Sequence, residues 1–183
     1  MQTFLVYPNI YESAMILDMQ RLNKQILESD QMINAELTNN DKFYKNHPVR
    51  KMWANNIDAH KYYRDIMLCA WYQRGGKGSR KLYSEILNNP KNIPLFPDWF
   101  NNKEILNKIC QSHRKALLIK KFDYYKDIFK DDIDDIVLNG KDLNGYTKLI
   151  TRGKNKGLYK IITATQHKQE YIRDNNVYYW IKD

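Results

Sequence analysis

The stretch Asp18–Glu28, with the sequence DMQRLNKQILE, contains the pattern that decides the fold. Apolar residues in and around it recur at three-, four- and seven-residue steps, which is the period of an amphipathic helix. At about 100° per residue, an apolar stripe and a polar ridge fall on adjoining flanks of that helix. The stripe comprises Met15, Met19, Leu22, Ile26 and Ile33, and the ridge comprises Asp18, Arg21, Lys24, Gln25 and Glu28.

The polar ridge has two interpretations. Arg21 with Gln25, and Lys24 with Glu28, are each four residues apart, so the ridge can be a solvated helix face stabilised by a few tenths of a kcal/mol per pair. Alternatively it is the wall of a site, in which Arg21 and Lys24 hold phosphate and Glu28 acts in acid–base chemistry or stabilises a developing cation. Spacing alone favours the first interpretation.

The first 125 residues are predicted to be mainly α-helical. The first helix should begin near Tyr11 or Glu12 and end at 38–40, after an extended start. A long aromatic-rich helical pattern begins at His47–Pro48, where proline suits a first turn, and stops at the glycines 75–76. Further helices are predicted over 80–87 and 103–121, with a proline-rich loop over 89–98.

The pattern changes after Tyr125. The acidic stretch KDIFKDDIDDIV is predicted to form a short helix, and the β-prone runs GYTKLIT and LYKIIT flank the polar loop RGKNKG. We therefore expect a compact single-domain helical fold with a small C-terminal β-hairpin insertion at about 145–163. Residues 1–125 should be the helical core, and 126–183 an extension with a docking aromatic tail.

Composition narrows the class of protein. The chain has 183 residues, 43% hydrophobic residues and a net charge of +9, which suits one packed domain with an anionic partner such as nucleic acid. AT-rich coding DNA can raise the lysine content without any function, so charge alone decides little. No apolar run reaches the ~20 residues of a membrane span and no signal peptide is evident, so we expect an intracellular protein of cytoplasm or nucleus.

Metal and cofactor sites are not expected. The two cysteines, Cys69 and Cys110, lie in apolar helical patterns and are predicted to be buried free thiols. No cluster of cysteine and histidine has zinc-ligand spacing, and no Walker or dinucleotide-type glycine loop is present. The prediction is a protein without a metal or a cofactor.

Several further residues are candidate DNA contacts. A lone helical histidine is most often a satisfied polar residue, but His113 precedes Arg114, whose guanidinium can bind phosphate bidentately. Cations at the predicted hairpin tip would contact the DNA backbone without reading sequence. The complete set of DNA-binding candidates is Arg21, Gln25, His47, Arg50, His113, Arg114, Arg152, Lys154 and Lys156.

Several blocks in order resemble a known family. They are MQTFLVYP, LDMQRLNKQ followed by Glu28, HPVRKMW, SHRKALLIK followed by Tyr124–Tyr125, and a closing aromatic segment at 178–180. Together they resemble a bacterial and viral group described as pyrimidine dimer DNA glycosylase-like, which is related to phage endonuclease V. The resemblance implies a helical domain that binds double-stranded DNA as a monomer, flips a nucleotide and excises a damaged base.

The resemblance also implies a catalytic chemistry. Enzymes of the endonuclease V type attack the sugar C1′ with the chain's own α-amine, form a Schiff base and permit β-elimination at an abasic site. Here Gln2 is bulky and should protect Met1 from removal, so the nucleophile is the amine of Met1, that of Lys24, or neither. The phage enzymes place their catalytic glutamate directly after an arginine, whereas Leu22 follows Arg21 here and the role passes to Glu28.

Two functions are therefore open. One is a DNA repair glycosylase, with or without AP-lyase activity. The other is a non-catalytic nucleic-acid-binding protein on the same helical scaffold. A covalent adduct trapped by borohydride on abasic DNA indicates the lyase, whereas salt-dependent binding with neither adduct nor base release indicates the binding protein.

Overall fold

The computed structural model describes residues 3–40, 46–83, 93–133, 146–149, 159–162, 178–179 and 181. Two compact units comprise Met1–Cys110 with Trp180–Asp183, and Gln111–Tyr179. Helices dominate the described part, which confirms the mainly helical prediction. Their bounds are Ile10–Ile16 (α1), Met19–Leu37 (α2), Pro48–Met52 (α3), Ile57–Gln73 (α4), Asp98–Asn101 (α5), Lys103–Lys120 (α6) and Phe122–Tyr125 (α7).

The first predicted helix is two helices, so its prediction as one continuous element is wrong. Leu17 is extended, with φ −60° and ψ 136°, and ends α1. Asp18 then caps α2, and its side chain accepts a hydrogen bond from the Arg21 backbone N–H. Aspartate at this position satisfies an amide that the helix itself leaves without a partner. The helical conformation is therefore interrupted at Leu17, directly before the polar ridge.

The second predicted helix is also interrupted. His47 caps α3 by accepting the Val49 N–H on Nδ1, and α3 ends at Trp53. Asn55 has a φ of 61°, a left-handed conformation that cannot continue an α-helix, and α4 begins two residues later. The helix predicted over 80–87 is wrong for residues 80–83, which are not helical, and its remainder lies outside the described residues.

The core of the first unit forms around α4, which packs against both α1 and α2. None of the helices in the described part is long and apolar enough to cross a membrane. Cys110 is buried as predicted, whereas Cys69 is exposed on α4, which corrects the prediction that both thiols are buried. The largest fully buried side chains of this unit are Leu5, Leu17, Leu22, Ile26, Ile33, Tyr63, Met67, Leu68 and Ile109.

The C-terminal predictions are met in part. Helix α6 matches the predicted helix over 103–121, and a 3₁₀ turn at Lys130–Asp132 lies within the acidic stretch. Strands Tyr146–Leu149 (β1) and Tyr159–Ile162 (β2) pair antiparallel, with Tyr146 opposite Ile162. Residues 150–158, which join these strands, lie outside the described residues. The hairpin with its basic tip therefore stays a prediction.

Candidate active site

Buried hydrogen bonds fix residues 3 and 4, at the start of the described chain. The Phe4 N–H donates to Gln25 Oε1 at 2.9 Å, and the Phe4 carbonyl accepts from the Tyr63 hydroxyl at 3.1 Å. The Trp53 indole N–H donates to Thr3 Oγ1 at 3.1 Å. Side chains from α2, from the end of α3 and from α4 thus hold the same two residues.

Gln25 lies inside this cluster rather than on the surface. Its side chain is on the ridge flank of α2, but the residue is only 1% exposed and its oxygen accepts from both Phe4 and Tyr63. Its side-chain oxygen therefore accepts from donors of the protein itself, and its role as a DNA contact stays a prediction. The helical period placed Gln25 on the correct flank, but it could not tell that the N-terminal segment covers that flank.

Glu28 and Lys24 lie at the border between this cluster and solvent. The Glu28 side chain is 13% exposed and that of Lys24 is 55% exposed, with their charged atoms 3.7 Å apart. Nearer the start of α2, Arg21 NH1 bonds Asp18 Oδ2 at 2.9 Å and the side chain is 13% exposed. The ridge predicted from spacing is therefore only partly solvated. The side chains of its two acids, Asp18 and Glu28, are both largely shielded from solvent.

His47 links Glu28 electrostatically to the start of the chain. Burial and the positive charge of the N-terminus lower the pKa of His47, and the negative charge of Glu28 opposes them. Because Nδ1 accepts the bond that caps α3, the neutral imidazole carries its proton on Nε2. The negative charge of Glu28 therefore acts on a neutral imidazole at the start of α3.

Tyr63 remains a hydrogen-bond donor at any working pH. Burial and the negative charge of Glu28 raise the pKa of Tyr63 well above its ordinary value of 10. Its single proton is shared between the Gln25 oxygen at 2.9 Å and the Phe4 carbonyl at 3.1 Å. The phenol therefore contributes a neutral donor to this cluster.

The Trp53 ring stacks on the ring of a buried histidine. The His60 ring stacks on Trp53 with centroids 4.9 Å apart and 5° between the planes. His60 Nε2 is buried and has no hydrogen-bond partner within the described residues. Burial lowers the pKa of His60 from 6.5 to about 3. The His60 imidazole that stacks on Trp53 is therefore neutral near pH 7.

We expect the buried neutral His60 to make stability depend on pH. The unfolded chain binds a proton near pH 6.5 and the folded chain only near pH 3, so stability falls as the pH drops through this range. Between pH 7 and pH 5 the loss should be about 2 kcal/mol. Urea unfolding of the wild type and of His60→Phe at both pH values measures it, and an equal pH slope in the two proteins contradicts the assignment.

The other predicted DNA contacts are distributed over the two units. In the first unit, Arg50 pairs with Glu36 at 3.1 Å and also donates to the Asn40 carbonyl. Among the described residues of the second unit, His113 is buried with its ring against Tyr178, and its role as a DNA contact stays a prediction.

Arg114 in the second unit has an internal partner. Its guanidinium binds the Asp132 carboxylate with two bonds, of 2.6 and 3.3 Å. The bidentate geometry expected for a phosphate is thus directed at a carboxylate of the protein itself. The remaining site candidates lie outside the described residues: Met1, Arg152, Lys154 and Lys156.

The N-terminal cluster lies in the part of the chain that is similar to known proteins. Residues 1–84 match the family described as pyrimidine dimer DNA glycosylase. The match confirms the resemblance for this part of the chain. Searches among curated proteins and among solved structures gave no match.

Sequence reasoning missed the residues that anchor the N-terminal segment. Tyr63 and Trp53 were counted as members of an apolar helical pattern, and Thr3 was read as part of an extended start. Their polar atoms are what joins the elements, at sequence separations of 59 and 50 residues. A tyrosine and a tryptophan within a buried stripe do signal a need for hydrogen-bond partners, but the identity of those partners depends on the tertiary fold.

Proposed function

We propose that this protein is a DNA glycosylase with AP-lyase activity that excises a damaged or modified base from duplex DNA. The N-terminal α-amine is the nucleophile in this proposal, and Glu28 is the catalytic carboxylate. The observation that carries the proposal is the fixed position of Thr3 and Phe4 beside the helix face that bears Glu28. The family match of residues 1–84 supports the reaction class.

The chemistry requires a neutral amine near a carboxylate. An α-amine has an ordinary pKa of ~7.7–8.0, so a useful fraction is neutral near pH 7. The amine attacks C1′ of the deoxyribose, the bond from C1′ to the base breaks, and the base leaves with a proton. The C1′–O4′ bond then breaks, the ring oxygen takes up the remaining proton of the nitrogen, and a Schiff base is left between the chain and C1′.

The lyase step follows from the Schiff base. A general base removes a proton from C2′, a C2′=C3′ double bond forms in conjugation with the C1′ imine, and the C3′–O bond breaks as the 3′ phosphate leaves. Water then hydrolyses the Schiff base and frees the amine. Glu28 suits the proton transfers, because its carboxylate is sheltered on one side and faces Lys24 and solvent on the other.

Base removal requires the nucleotide to leave the stack. Extrusion costs a few kcal/mol, and less when the base is already damaged. The net charge of +9 favours the DNA backbone, and Lys24 is the most exposed described cation of the ridge. Phosphate contacts of this kind orient the duplex and carry no information about which base is excised.

Borohydride trapping on a duplex with one abasic site tests the proposal. The wild-type protein should form a covalent adduct, and conversion of the α-amine to a ketone by transamination should abolish it. Lys24→Met is the matched variant, because it removes the other candidate amine and leaves the N-terminus unchanged. We expect that variant to retain the adduct and peptide mapping to locate the sugar on the first residue.

Three other outcomes would contradict part or all of the proposal. Loss of the adduct in Lys24→Met, with retention after transamination, would make Lys24 the nucleophile. Base release without an adduct would leave a glycosylase that uses water in place of an amine. Salt-dependent DNA binding with neither base release nor adduct would favour the non-catalytic nucleic-acid-binding protein.

A further inference from the structure

The polar contacts around residues 3 and 4 form a device that we name the N-terminal clamp. It consists of Gln25, Trp53 and Tyr63, which bind Thr3 and Phe4. Its four hydrogen bonds are 2.9–3.1 Å long, and each of the five residues is buried. Both polar groups of the Phe4 backbone have a side-chain partner, which is how an isolated extended segment is fixed without a β-sheet.

The side-chain oxygen of Gln25 is the acceptor that two donors of the clamp share. The Gln25 oxygen has two lone pairs and receives the Phe4 N–H and the Tyr63 O–H, both at 2.9 Å. Replacement of Gln25 by an apolar residue would remove the acceptor of the buried Phe4 N–H, whereas the Tyr63 hydroxyl would keep the Phe4 carbonyl as its acceptor. Replacement of Tyr63 by phenylalanine would remove one donor and leave the bond between Gln25 and Phe4.

The clamp fixes Thr3 and Phe4. Each residue of an extended chain spans at most about 3.3–3.6 Å, so a fixed Thr3 limits how far the amine of the proposed reaction can reach. Gln25 and Glu28 are three residues apart on α2, and such side chains are neighbours about 5–6 Å apart on a helix surface. The same face of α2 therefore binds Phe4 through Gln25 and carries the carboxylate of Glu28.

We infer that Gln25 and Tyr63 are positioning residues, which fix Phe4 so that the amine of the proposed reaction meets the sugar in one arrangement. This inference rests on the proposed function, because it concerns the nucleophile of that reaction. It assigns to Gln25 a role in orienting the protein's own chain in place of a DNA contact. Effective molarity is the physical basis, since misplacement of a reacting group by about 1 Å can cost about 10²-fold in rate.

Single-turnover kinetics on abasic DNA test the inference. Tyr63→Phe and Gln25→Met should lower the rate of adduct formation at saturating protein by about 10- to 100-fold. The affinity for a duplex with a non-reactive abasic analogue should change little. Gln25→Glu should recover part of the rate lost in Gln25→Met, because a buried carboxyl group retains an acceptor oxygen for Phe4.

Tyr72→Phe is the matched control. Tyr72 lies on the same helix, and its hydroxyl donates to the carbonyls of Gly78 and Arg80 in the turn after α4. The same loss of a hydroxyl there should leave the adduct rate unchanged. All variants are compared well below their melting temperatures, with circular dichroism as the check on folding, so that a loss of stability is not mistaken for a loss of positioning.

A second readout does not depend on catalysis. Amide hydrogen exchange at Phe4 should accelerate in Tyr63→Phe and further in Gln25→Met, and it should stay at the wild-type rate in Tyr72→Phe. Faster exchange accompanied by wild-type adduct rates would overturn the positioning role and leave the proposed function standing. A wild-type protein that forms no adduct overturns the proposed function, and the positioning role with it.

Discussion

Replacement of Glu28 by glutamine is expected to lower base release and strand cleavage by about 10²–10⁴-fold. The change keeps the shape of the side chain and removes its charge and its ability to carry a proton. The affinity for duplex DNA should stay equal or rise slightly, because a negative charge is removed near the ridge. Single-turnover cleavage and binding to a non-reactive duplex, measured at one salt concentration, separate the two effects.

Glu36→Gln is the matched control for this prediction. Glu36 lies on α2 two turns beyond Glu28, is 48% exposed and pairs with Arg50. It has no part in the proposed chemistry, so its variant should retain nearly full activity. Equal activity of Glu28→Gln and Glu36→Gln would show that the carboxylate of Glu28 is not catalytic.

Helix bounds illustrate what the sequence can predict. The three-, four- and seven-residue steps correctly indicated helical structure on both sides of Asp18, because apolar spacing reports local geometry. They missed the interruption at Leu17–Asp18, since the stripe remains in phase across it. The cap signal of Asp18 was present in the sequence, but aspartate also occurs within helices, and only the extended backbone of Leu17 decides between the two roles.

In the candidate site, the sequence predicted which residues are involved but not what each of them does. Sequence reasoning selected Glu28, Gln25 and His47, and in the structure Gln25 binds Phe4 while the charge of Glu28 acts on His47. The roles within this group depended on burial, which spacing does not determine. Gln25 became an internal acceptor because Phe4 covers it, a contact between residues 21 positions apart.

Replacement of Arg64 by methionine is expected to destabilise the fold by about 3–5 kcal/mol, the range for breaking one partner of a buried ion pair. The Arg64 guanidinium donates to Asp30 at 2.7 Å, to Asp65 at 2.8 Å and to the Lys81 carbonyl at 2.7 Å. Asp65 is fully buried and also accepts the Tyr83 N–H. Methionine fills much of the volume, so the loss comes from an uncompensated negative charge in the core. Chemical denaturation at neutral pH measures the change.

A variant on the same helix separates this effect from a general loss of charge. Lys61→Met removes a cation that pairs with the exposed Asp58, and we expect a change within about 0.5 kcal/mol. Combining Arg64→Met with Asp65→Asn should recover part of the loss, since the second change removes the stranded charge. A loss below about 1 kcal/mol in Arg64→Met, or no coupling in the double-mutant cycle, would contradict a buried charge as the cause. Arg64 also donates to the Lys81 carbonyl and pairs with Asp30 on α2. A large loss of stability in Arg64→Met would therefore indicate that this ion cluster holds Lys81 to α2 and α4.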